Sequence, residues 1–220
     1  MTEHIILLHG LWMRGFALGV LHRRLIEEGY RVHRFDYMSV AATQEHILKR
    51  LRAQMMDCGP DPVHLVGHSL GGLLALQVCA DDTGLPPGRI VCLGSPLKGS
   101  ASARRFAELG RGGEALLGHN RTLLEHGFER WDGPRELGVI AGRTRVGLGA
   151  VLGQVAGEHD GTVAVDETRL PGISDHCVVE ATHTGLLFSQ EVAHRVAGFL
   201  RDGRFDSMAA APRFAGRPAD

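Results

Sequence analysis

Short apolar runs alternate with amphipathic stretches along most of the chain. The apolar runs are four or five residues long, which is the usual length of a short β-strand. They are apolar at nearly every position rather than at every second one, a pattern that favours strands buried on both faces of a parallel sheet. The predicted strands are Ile5–Leu8, Arg31–Phe35, Val63–Val66, Arg89–Leu93, Leu137–Ile140 and His176–Val179.

The stretches between these strands place apolar residues at helical spacing. The predicted helices are 16–29, 43–57, 69–81 and 184–201. Strands and helices that take turns are typical of an α/β protein, in which each helix is a right-handed crossover between parallel strands. The predicted fold class is therefore α/β, with a mainly parallel six-stranded sheet between helices on both faces.

Three segments depart from this alternation. Residues 97–135 are too long for a single crossover and carry leucines, Phe128 and Trp131 among arginines and glycines, so we expect a small cap of short helices. Residues 142–159 are rich in glycine and predict a long loop, which compact domains keep mainly for function or flexibility. The tail 202–220 has little periodicity and is expected to be flexible.

Composition bounds the number of domains and the kind of partner. With 220 residues, of which 44% are hydrophobic, the chain can bury one sizeable core, and we expect a single domain over residues 1–201. Lys and Arg total 24 against 25 Asp and Glu, giving a net charge of −1. Without a basic surface to attract phosphates, nucleic acid is not an expected partner.

The sequence also bears on the cellular compartment and on the state of the cysteines. The apolar runs end well before about 18 residues, the length that a membrane span requires. Residues 1–4 lack the basic pattern of a secretory signal, so we expect a cytoplasmic protein without a transmembrane segment. The four cysteines have no metal-ligand spacing, and free thiols are the expected state in that compartment.

A serine lies at a predicted strand-to-helix junction. Residues 67–71 read Gly-His-Ser-Leu-Gly, follow the strand that begins at Val63 and precede a helical pattern. Glycines on both sides of Ser69 let the chain turn tightly and hold the hydroxyl out of the sheet. Ser69 is the candidate nucleophile, while His68 is expected to pack because neighbouring side chains at a sharp turn point apart. A simple helix-capping serine is the alternative.

A serine hydroxyl needs a base to remove its proton, and His183 is the candidate. It follows the last predicted strand after a short loop and precedes the last helix. His176 and His194 fit less well, since one lies within the strand and the other within the helix. A surface histidine without a role remains the alternative.

A carboxylate must orient that histidine, and Asp160 is the preferred candidate. It ends the long loop after the fifth strand and precedes His183 in the chain. Asp166 is the rival, with Glu158 and Asp175 as remoter candidates. Asp-Gly-Thr at 160–162 is also an ordinary turn sequence.

Two backbone N–H groups are expected to stabilise the oxyanion. One is the N–H of Leu70, directly after the nucleophile, and the other that of Leu11 in the loop after the first strand. Trp12 is expected to form a wall of the pocket. His9 is interpreted as an anchor for the loop rather than a catalyst or a metal ligand, because no second ligand has suitable spacing. No metal site or organic cofactor is predicted.

Five separated motifs together resemble the α/β-hydrolase superfamily, in particular its small bacterial esterase and lipase-like members. The resemblance extends from Ile5 to about Leu200. The motifs are His9-Gly10-Leu11, Gly67-His68-Ser69-Leu70-Gly71, Gly94-Ser95-Pro96, Asp160-Gly161-Thr162-Val163 and His183-Thr184-Gly185.

The resemblance implies a three-layer fold with strand order 2-1-3-4-5-6, without the two N-terminal antiparallel strands of the full pattern. It also implies a cap between the fourth and fifth strands, whose apolar residues would either line an acyl pocket or only hold the cap down. The residues predicted to line the substrate pocket are Trp12, Leu97, Leu117, Leu124, Phe128 and Leu186.

The functional hypothesis is a serine hydrolase that cleaves a carboxylic ester of a small-molecule or lipid-like substrate through an acyl-enzyme intermediate. Thioesterase, amide-hydrolysing and acyltransferase chemistry use the same residues and stay open. A non-catalytic ligand-binding relative is the alternative from another class.

Overall fold

The computed structural model describes residues 3–81, 84–146 and 156–205. Its centre is a six-stranded sheet with the strand order β2-β1-β3-β4-β5-β6, and every adjacent pair is parallel. Both features agree with the predicted fold class. The strands are β1 (His4–Leu8), β2 (Arg31–Phe35), β3 (Val63–His68), β4 (Ile90–Leu93), β5 (Leu137–Gly142) and β6 (Asp175–Val179).

Helices connect the strands. The crossover helices are α1 (Gly19–Glu27), α2 (Gln44–Asp57) and α3 (Leu70–Val78), and the last helix is α8 (Gln190–Asp202). Further along the chain lie α4 (Ala101–Glu108), α5 (Arg111–Leu117), α6 (Arg121–His126) and α7 (Val165–Thr168). Short 3-10 turns occupy Gly15–Leu18, Gly118–Asn120 and Gly185–Leu187.

The sheet separates two apolar cores, because successive residues of a strand point to opposite faces. Ile6 and Leu8 of β1 face a core that they share with α2 and α3. Ile5 and Leu7 face the other core, shared with α1 and α8. Helices therefore cover both faces, and the fold has the three layers that the resemblance implies.

Three helices, α4, α5 and α6, lie between β4 and β5, within the segment expected to form a cap. Ser100 begins this helical segment by accepting a hydrogen bond from the N–H of Ala103 at 3.1 Å. Leu117 and Leu124 of the segment are buried in the core beside α3. The cap segment is thus fastened to the sheet by its own apolar residues.

Of the predicted long loop 142–159 and the predicted tail 202–220, the structure describes only residues 142–146, 156–159 and 202–205. Most of the predicted loop 142–159, namely residues 147–155, and residues 206–220 of the predicted tail lie outside the described residues. The tail's first residues are ordered against the sheet: Phe205 is buried beside Phe199, and its N–H donates to Asp175 at 2.7 Å. None of the described helices combines the length and apolarity needed to cross a membrane.

Candidate active site

Ser69 occupies a strained turn between β3 and α3. Its φ and ψ angles are 54° and −120°, and a positive φ is rare for a residue with a side chain. The turn is held by a hydrogen bond from the N–H of Ser69 to the carbonyl of Leu93 at 2.9 Å. This hydrogen bond to the end of β4 therefore helps to hold Ser69 in its strained conformation.

The two motif glycines are required by close backbone packing. A Cβ atom on Gly67 would lie 2.4 Å from the backbone of Gly71, and one on Gly71 would lie 2.5 Å from the carbonyl oxygen of Leu8. Both distances are far below a normal contact. The sequence Gly-x-Ser-x-Gly thus follows from how tightly α3 packs onto β1 and β3.

Asp160 and His183 form a hydrogen-bonded pair at the carboxyl end of the sheet. Oδ2 of Asp160 accepts a hydrogen bond from Nδ1 of His183 at 2.7 Å. Oδ1 accepts from the N–H groups of Thr162 and Val163 at 2.9 and 2.8 Å. The carboxylate is 1% exposed, so its orientation is set by these partners. Because Nδ1 donates to Asp160, Nε2 of His183 is left as an acceptor.

The end of β4 passes directly beside this pair. Gly94 has a φ of 55°, and a Cβ atom there would lie 2.9 Å from Oδ2 of Asp160 and 3.1 Å from Nδ1 of His183. Gly142 at the end of β5 is similarly restricted, since its Cβ would lie 2.8 Å from that of Asp160. The acid and the base therefore fit into space that two glycines leave open.

The rival acids lie elsewhere. Asp166 is exposed on α7, and Glu158 is exposed in the loop before Asp160. Asp175 is the first residue of β6, so it lies at the amino ends of the parallel strands, whereas Ser69 and His183 lie at their carboxyl ends. None of these three lines the cavity that contains Ser69.

The rival histidines are also engaged outside that cavity. Nε2 of His176 lies 2.8 Å from the hydroxyl of Thr168, and burial lowers the pKa of His176 to about 4. His194 lies on α8 near Glu28, at 3.3 Å. Of the three candidate histidines, only His183 lines the same cavity as Ser69.

The two predicted oxyanion donors flank Ser69. Leu70 is the first residue of α3, and backbone N–H groups in a first helical turn lack an intrahelical acceptor. Leu11 follows Gly10, whose Cβ would lie 3.1 Å from the Cβ of Ser69. Gly10 and Leu11 both line the cavity.

His9 fixes the start of the loop that carries Leu11. Its Nδ1–H donates to the carbonyl of Gly10 at 2.8 Å, and its Nε2 accepts from the N–H of Tyr37 at 3.4 Å. The ring stacks on Tyr37 with centroids 4.1 Å apart, and burial lowers the pKa of His9. These contacts agree with its interpretation as a loop anchor.

A cavity of about 370 Å³ opens beside Ser69. Of the residues predicted to line it, Trp12, Leu117 and Leu124 do so, whereas Leu97, Phe128 and Leu186 do not. Leu97 and Leu186 are fully buried in the two cores, and Phe128 packs against the first core. Lining residues that the sequence analysis missed are Met13, His68, Pro96, Ser100, Ser102, Ala103, Phe106, Val146, Thr162, Val163 and Thr184. For Pro96, Thr162, Val163 and Thr184, their place within the quoted motifs was the available signal.

Trp12 joins the loop after β1 to the cap. Its indole N–H donates to the carbonyl of Leu116 at 2.8 Å, and its ring meets the edge of Phe106 with centroids 5.5 Å apart. Trp12 has a φ of 57°, and its backbone N–H donates to the hydroxyl of Ser39 at 3.1 Å. The residue thus forms a wall of the cavity that spans two segments.

One group of side chains among the described residues has the spacing to hold a metal ion. It comprises His4, His33 and Cys58, whose ligand atoms lie within 4.8 Å of one another. Nδ1 of His4 and Nε2 of His33 are 3.0 Å apart and already hydrogen-bond each other. Since His4 begins β1, the group lies at the amino edge of the sheet, away from Ser69.

Comparisons with known proteins test the fold and the family of the chain. The model of the "Alpha/beta hydrolase family" matches residues 5–216. None of the curated proteins matches the sequence. A lipase of Bacillus licheniformis in its mature form has a TM-score of 0.71 and 19% identity over 91% of each chain.

Two further solved structures share the fold. A metagenomic carboxyl esterase has a TM-score of 0.62 and 18% identity, covering 82% of this chain and 64% of its own. A thioesterase from the prodiginine biosynthetic pathway of Streptomyces coelicolor has a TM-score of 0.58 and 14% identity, covering 89% and 85%. These likenesses and the parallel six-stranded sheet show the fold, and the family match over residues 5–216 identifies the chain as a member of the α/β-hydrolase family.

Proposed function

We propose that the chain is a serine hydrolase that cleaves carboxylic esters with apolar acyl groups. The observation that carries the proposal is the cavity shared by Ser69 and His183, with Nδ1 of His183 2.7 Å from the buried Asp160. A nucleophile on a strained turn, a histidine whose Nε2 can accept a proton and a carboxylate bonded to that histidine are the parts of a catalytic triad.

Acylation begins when Nε2 of His183 accepts the hydroxyl proton of Ser69. The Oγ atom then forms a bond to the ester carbonyl carbon, and the carbonyl oxygen becomes negatively charged. When this tetrahedral intermediate collapses, the bond to the alcohol oxygen breaks and Nε2–H returns its proton to the leaving alcohol. Asp160 stabilises the imidazolium that exists between the two proton transfers.

Deacylation repeats these steps with water. His183 accepts a proton from the water, whose oxygen attacks the acyl carbon, and the proton then returns to Oγ of Ser69 as the acid leaves. In both halves the N–H groups of Leu11 and Leu70 would donate to the oxyanion. Removing one such donor typically lowers kcat by about 100- to 1000-fold.

The cavity supports an apolar acyl group as the specificity element. Leu11, Phe106, Leu117, Leu124 and Val163 are among the lining residues, and most of the surface that faces the cavity is apolar. Ser100, Ser102, Thr162 and Thr184 add hydroxyl groups to this wall. Apolar walls bind alkyl or aromatic groups by removing their surface from water. The likeness to a lipase and to a carboxyl esterase agrees with such a substrate.

A fluorophosphonate probe tests the nucleophile directly. The expected result is stoichiometric labelling of the protein at Ser69, because the probe reacts preferentially with activated serine hydroxyls. Ser69→Ala removes labelling and turnover, whereas Ser189→Ala, which alters only the N-cap of α8, retains the label. A wild-type protein that takes up no label would contradict the proposal and favour a ligand-binding relative.

A chain-length series of nitrophenyl esters tests the substrate class. We expect kcat/KM to rise from acetate toward longer acyl chains and then to fall once the chain exceeds the cavity. A preference for thioesters over matched oxygen esters would overturn the ester assignment while leaving the serine chemistry intact.

A further inference from the structure

His68 makes a contact that the proposed acid–base chemistry does not use. It is the last residue of β3, directly before Ser69, and it is 1% exposed. Its Nε2 lies 2.9 Å from the backbone carbonyl oxygen of His183, and the two rings have centroids 4.6 Å apart. The strand that carries the nucleophile is therefore bonded to the loop that carries the base.

The protonation of His68 follows from its surroundings. A carbonyl oxygen only accepts hydrogen bonds, so Nε2 carries the proton. Burial, and after it the nearby His183, lowers the pKa of His68 to about 3, which keeps the ring neutral at neutral pH. Nδ1 then bears a lone pair, and this buried atom has no hydrogen-bond partner among the described residues.

An unpartnered buried nitrogen destabilises the folded protein, and a leucine of similar volume would avoid that penalty. Only the other nitrogen of the ring offsets it, through the bond to His183. To make this hydrogen bond, the side chain at position 68 must have a donor atom as far from the backbone as Nε2 of histidine. The arrangement favours a role for Nε2–H beyond filling space.

The hydrogen bond from His68 is the second of two that hold the backbone of His183. The N–H of His183 donates to the carbonyl of Asp160 at 2.8 Å, and its carbonyl accepts from His68 at 2.9 Å. With Nδ1 bonded to the Asp160 carboxylate, the residue is held at its amide, its carbonyl and its ring. Loss of one of these contacts frees the ring to move relative to Ser69.

We infer that His68 is a positioning residue, which ties the His183 loop to the nucleophile strand and so fixes Nε2 of His183 relative to Oγ of Ser69. The inference rests on the proposed function, because it assigns the contact a catalytic purpose. A neutral ring suits this role, since a cation beside His183 would oppose the imidazolium that forms during acylation. The earlier expectation of simple packing is replaced by a specific hydrogen bond.

Two amide substitutions separate positioning from packing. In His68→Gln the side-chain amide reaches the place of Nε2, whereas in His68→Asn it reaches only the place of Nδ1. We expect kcat on a nitrophenyl ester to fall about 10- to 100-fold in His68→Asn, with KM little changed, because displacing a catalytic group by about 1 Å has effects of this size. His68→Gln should regain most of the lost kcat.

His68→Leu gives a third variant that fills the space without any donor, and its kcat should fall as in His68→Asn. Thermal unfolding of each variant reports on folding separately. The inference is overturned by equal kcat in the Gln and Asn variants, or by His68→Leu with wild-type kcat. A loss of kcat that only follows the loss of folded protein would also overturn it.

A second readout does not depend on turnover. The proton between Nδ1 of His183 and Asp160 gives a downfield NMR signal, which should broaden in His68→Asn and persist in His68→Gln. If wild-type protein takes up no fluorophosphonate, the proposed function fails, while this signal still tests the tie between His68 and His183. A signal that is identical in all variants contradicts the tie itself.

Discussion

Residues around Ser69 are restricted by the backbone positions that they occupy. Ser69 and Trp12 are the described residues other than glycine with a positive φ, and both line the cavity. Strained backbone concentrates at functional sites because the surrounding structure has to hold it. Substitutions here therefore test geometry as well as chemistry.

His183→Ala should lower kcat by at least about 1000-fold, because Ser69 then lacks a group to accept its proton. Turnover of a nitrophenyl ester measures the effect. His194→Ala, on the exposed side of α8, is the matched control and should retain wild-type kcat. Full activity in His183→Ala together with its loss in His176→Ala would show that the base has been misassigned.

Gly94→Ala should impair the acid–base pair without removing either group. Its methyl group would lie 2.9 Å from Oδ2 of Asp160, so the pair has to shift. Gly29→Ala is the control, since Gly29 also has a positive φ but no heavy atom within 4 Å of the added carbon. Both variants should lose about 1 kcal/mol of unfolding free energy through backbone strain.

Only Gly94→Ala should also lose about tenfold or more in kcat, because it moves groups that act together. Urea unfolding measures the first effect and ester turnover the second. Equal kcat in the two variants would mean that the space beside Asp160 is not critical.

Short motifs were enough to predict that Ser69 and His183 lie at one cavity with Asp160 bonded to His183. Their catalytic roles stay a prediction. The cavity wall was harder to predict. Leu97 and Leu186 are as apolar as Leu117, yet their side chains point into the cores. In irregular segments no periodicity relates sequence to side-chain direction, so only the folded chain distinguishes lining from packing.

At the scale of secondary structure, the loop after β1 and the cap depend on each other. Trp12 lines the cavity, and its indole N–H donates a hydrogen bond to the carbonyl of Leu116 in α5. Because Leu11 precedes Trp12, a movement of the cap would reach the predicted oxyanion donor through one residue. Cap position and oxyanion geometry are therefore expected to change together.

Trp12→Phe should loosen the cap, since it removes the indole N–H and keeps most of the ring. We expect faster hydrogen exchange in residues 101–126 and a raised KM for long-chain esters. Trp131→Phe is the matched control, because it removes an indole N–H that donates to the backbone carbonyl of Arg135 at 2.8 Å, outside the cavity. Unchanged exchange in Trp12→Phe would contradict a coupling between loop and cap.

All six strands could be predicted to within two residues. In β1, β3, β4 and β5 burial on both faces produces unbroken apolar runs, whereas the edge strands β2 and β6 are only partly buried. Helix ends were less exact: the predicted helix 69–81 is observed as Leu70–Val78. The cap was predicted as short helices within residues 97–135, without limits for the individual helices. Its mixture of arginine, glycine and leucine weakens the helical period, and packing against the sheet decides where each helix ends.

For the whole molecule, the candidate triad and the buried Arg135 lie at opposite ends of the parallel strands. The candidate triad is at the carboxyl edge, whereas buried Arg135, before β5, donates to the carbonyl of Val63 at the start of β3. The alternation of strands and helices was enough to predict a parallel α/β sheet. The strand order was predicted only through the resemblance to the α/β-hydrolase superfamily, and it agrees with the observed order.

Buried histidines should make the folded protein sensitive to acid. In an unfolded chain histidine titrates near pH 6.5, but burial lowers the pKa of His176 to about 4. Between these values the unfolded chain binds more protons, so the unfolding free energy falls as the pH drops from about 6.5 toward 4. Above pH 6.5 this loss is absent.

His176→Gln should reduce this acid sensitivity, since glutamine does not titrate and its amide can still donate to Thr168. Urea unfolding at neutral and at acidic pH measures the change in wild type and variant. The same loss of stability in both would show that other groups cause it. His68, with a pKa of about 3, should add to the loss in the same direction.

The crowding around the nucleophile turn also has a consequence for directed evolution of this protein. A β-carbon on Gly67, Gly71 or Gly72 would come within 2.4, 2.5 or 2.1 Å of another atom. A mutant library that randomises these codons would return almost only glycine among active clones. A library designed to change the substrate range should instead randomise Phe106 and Ala103, because both line the cavity beside Ser69.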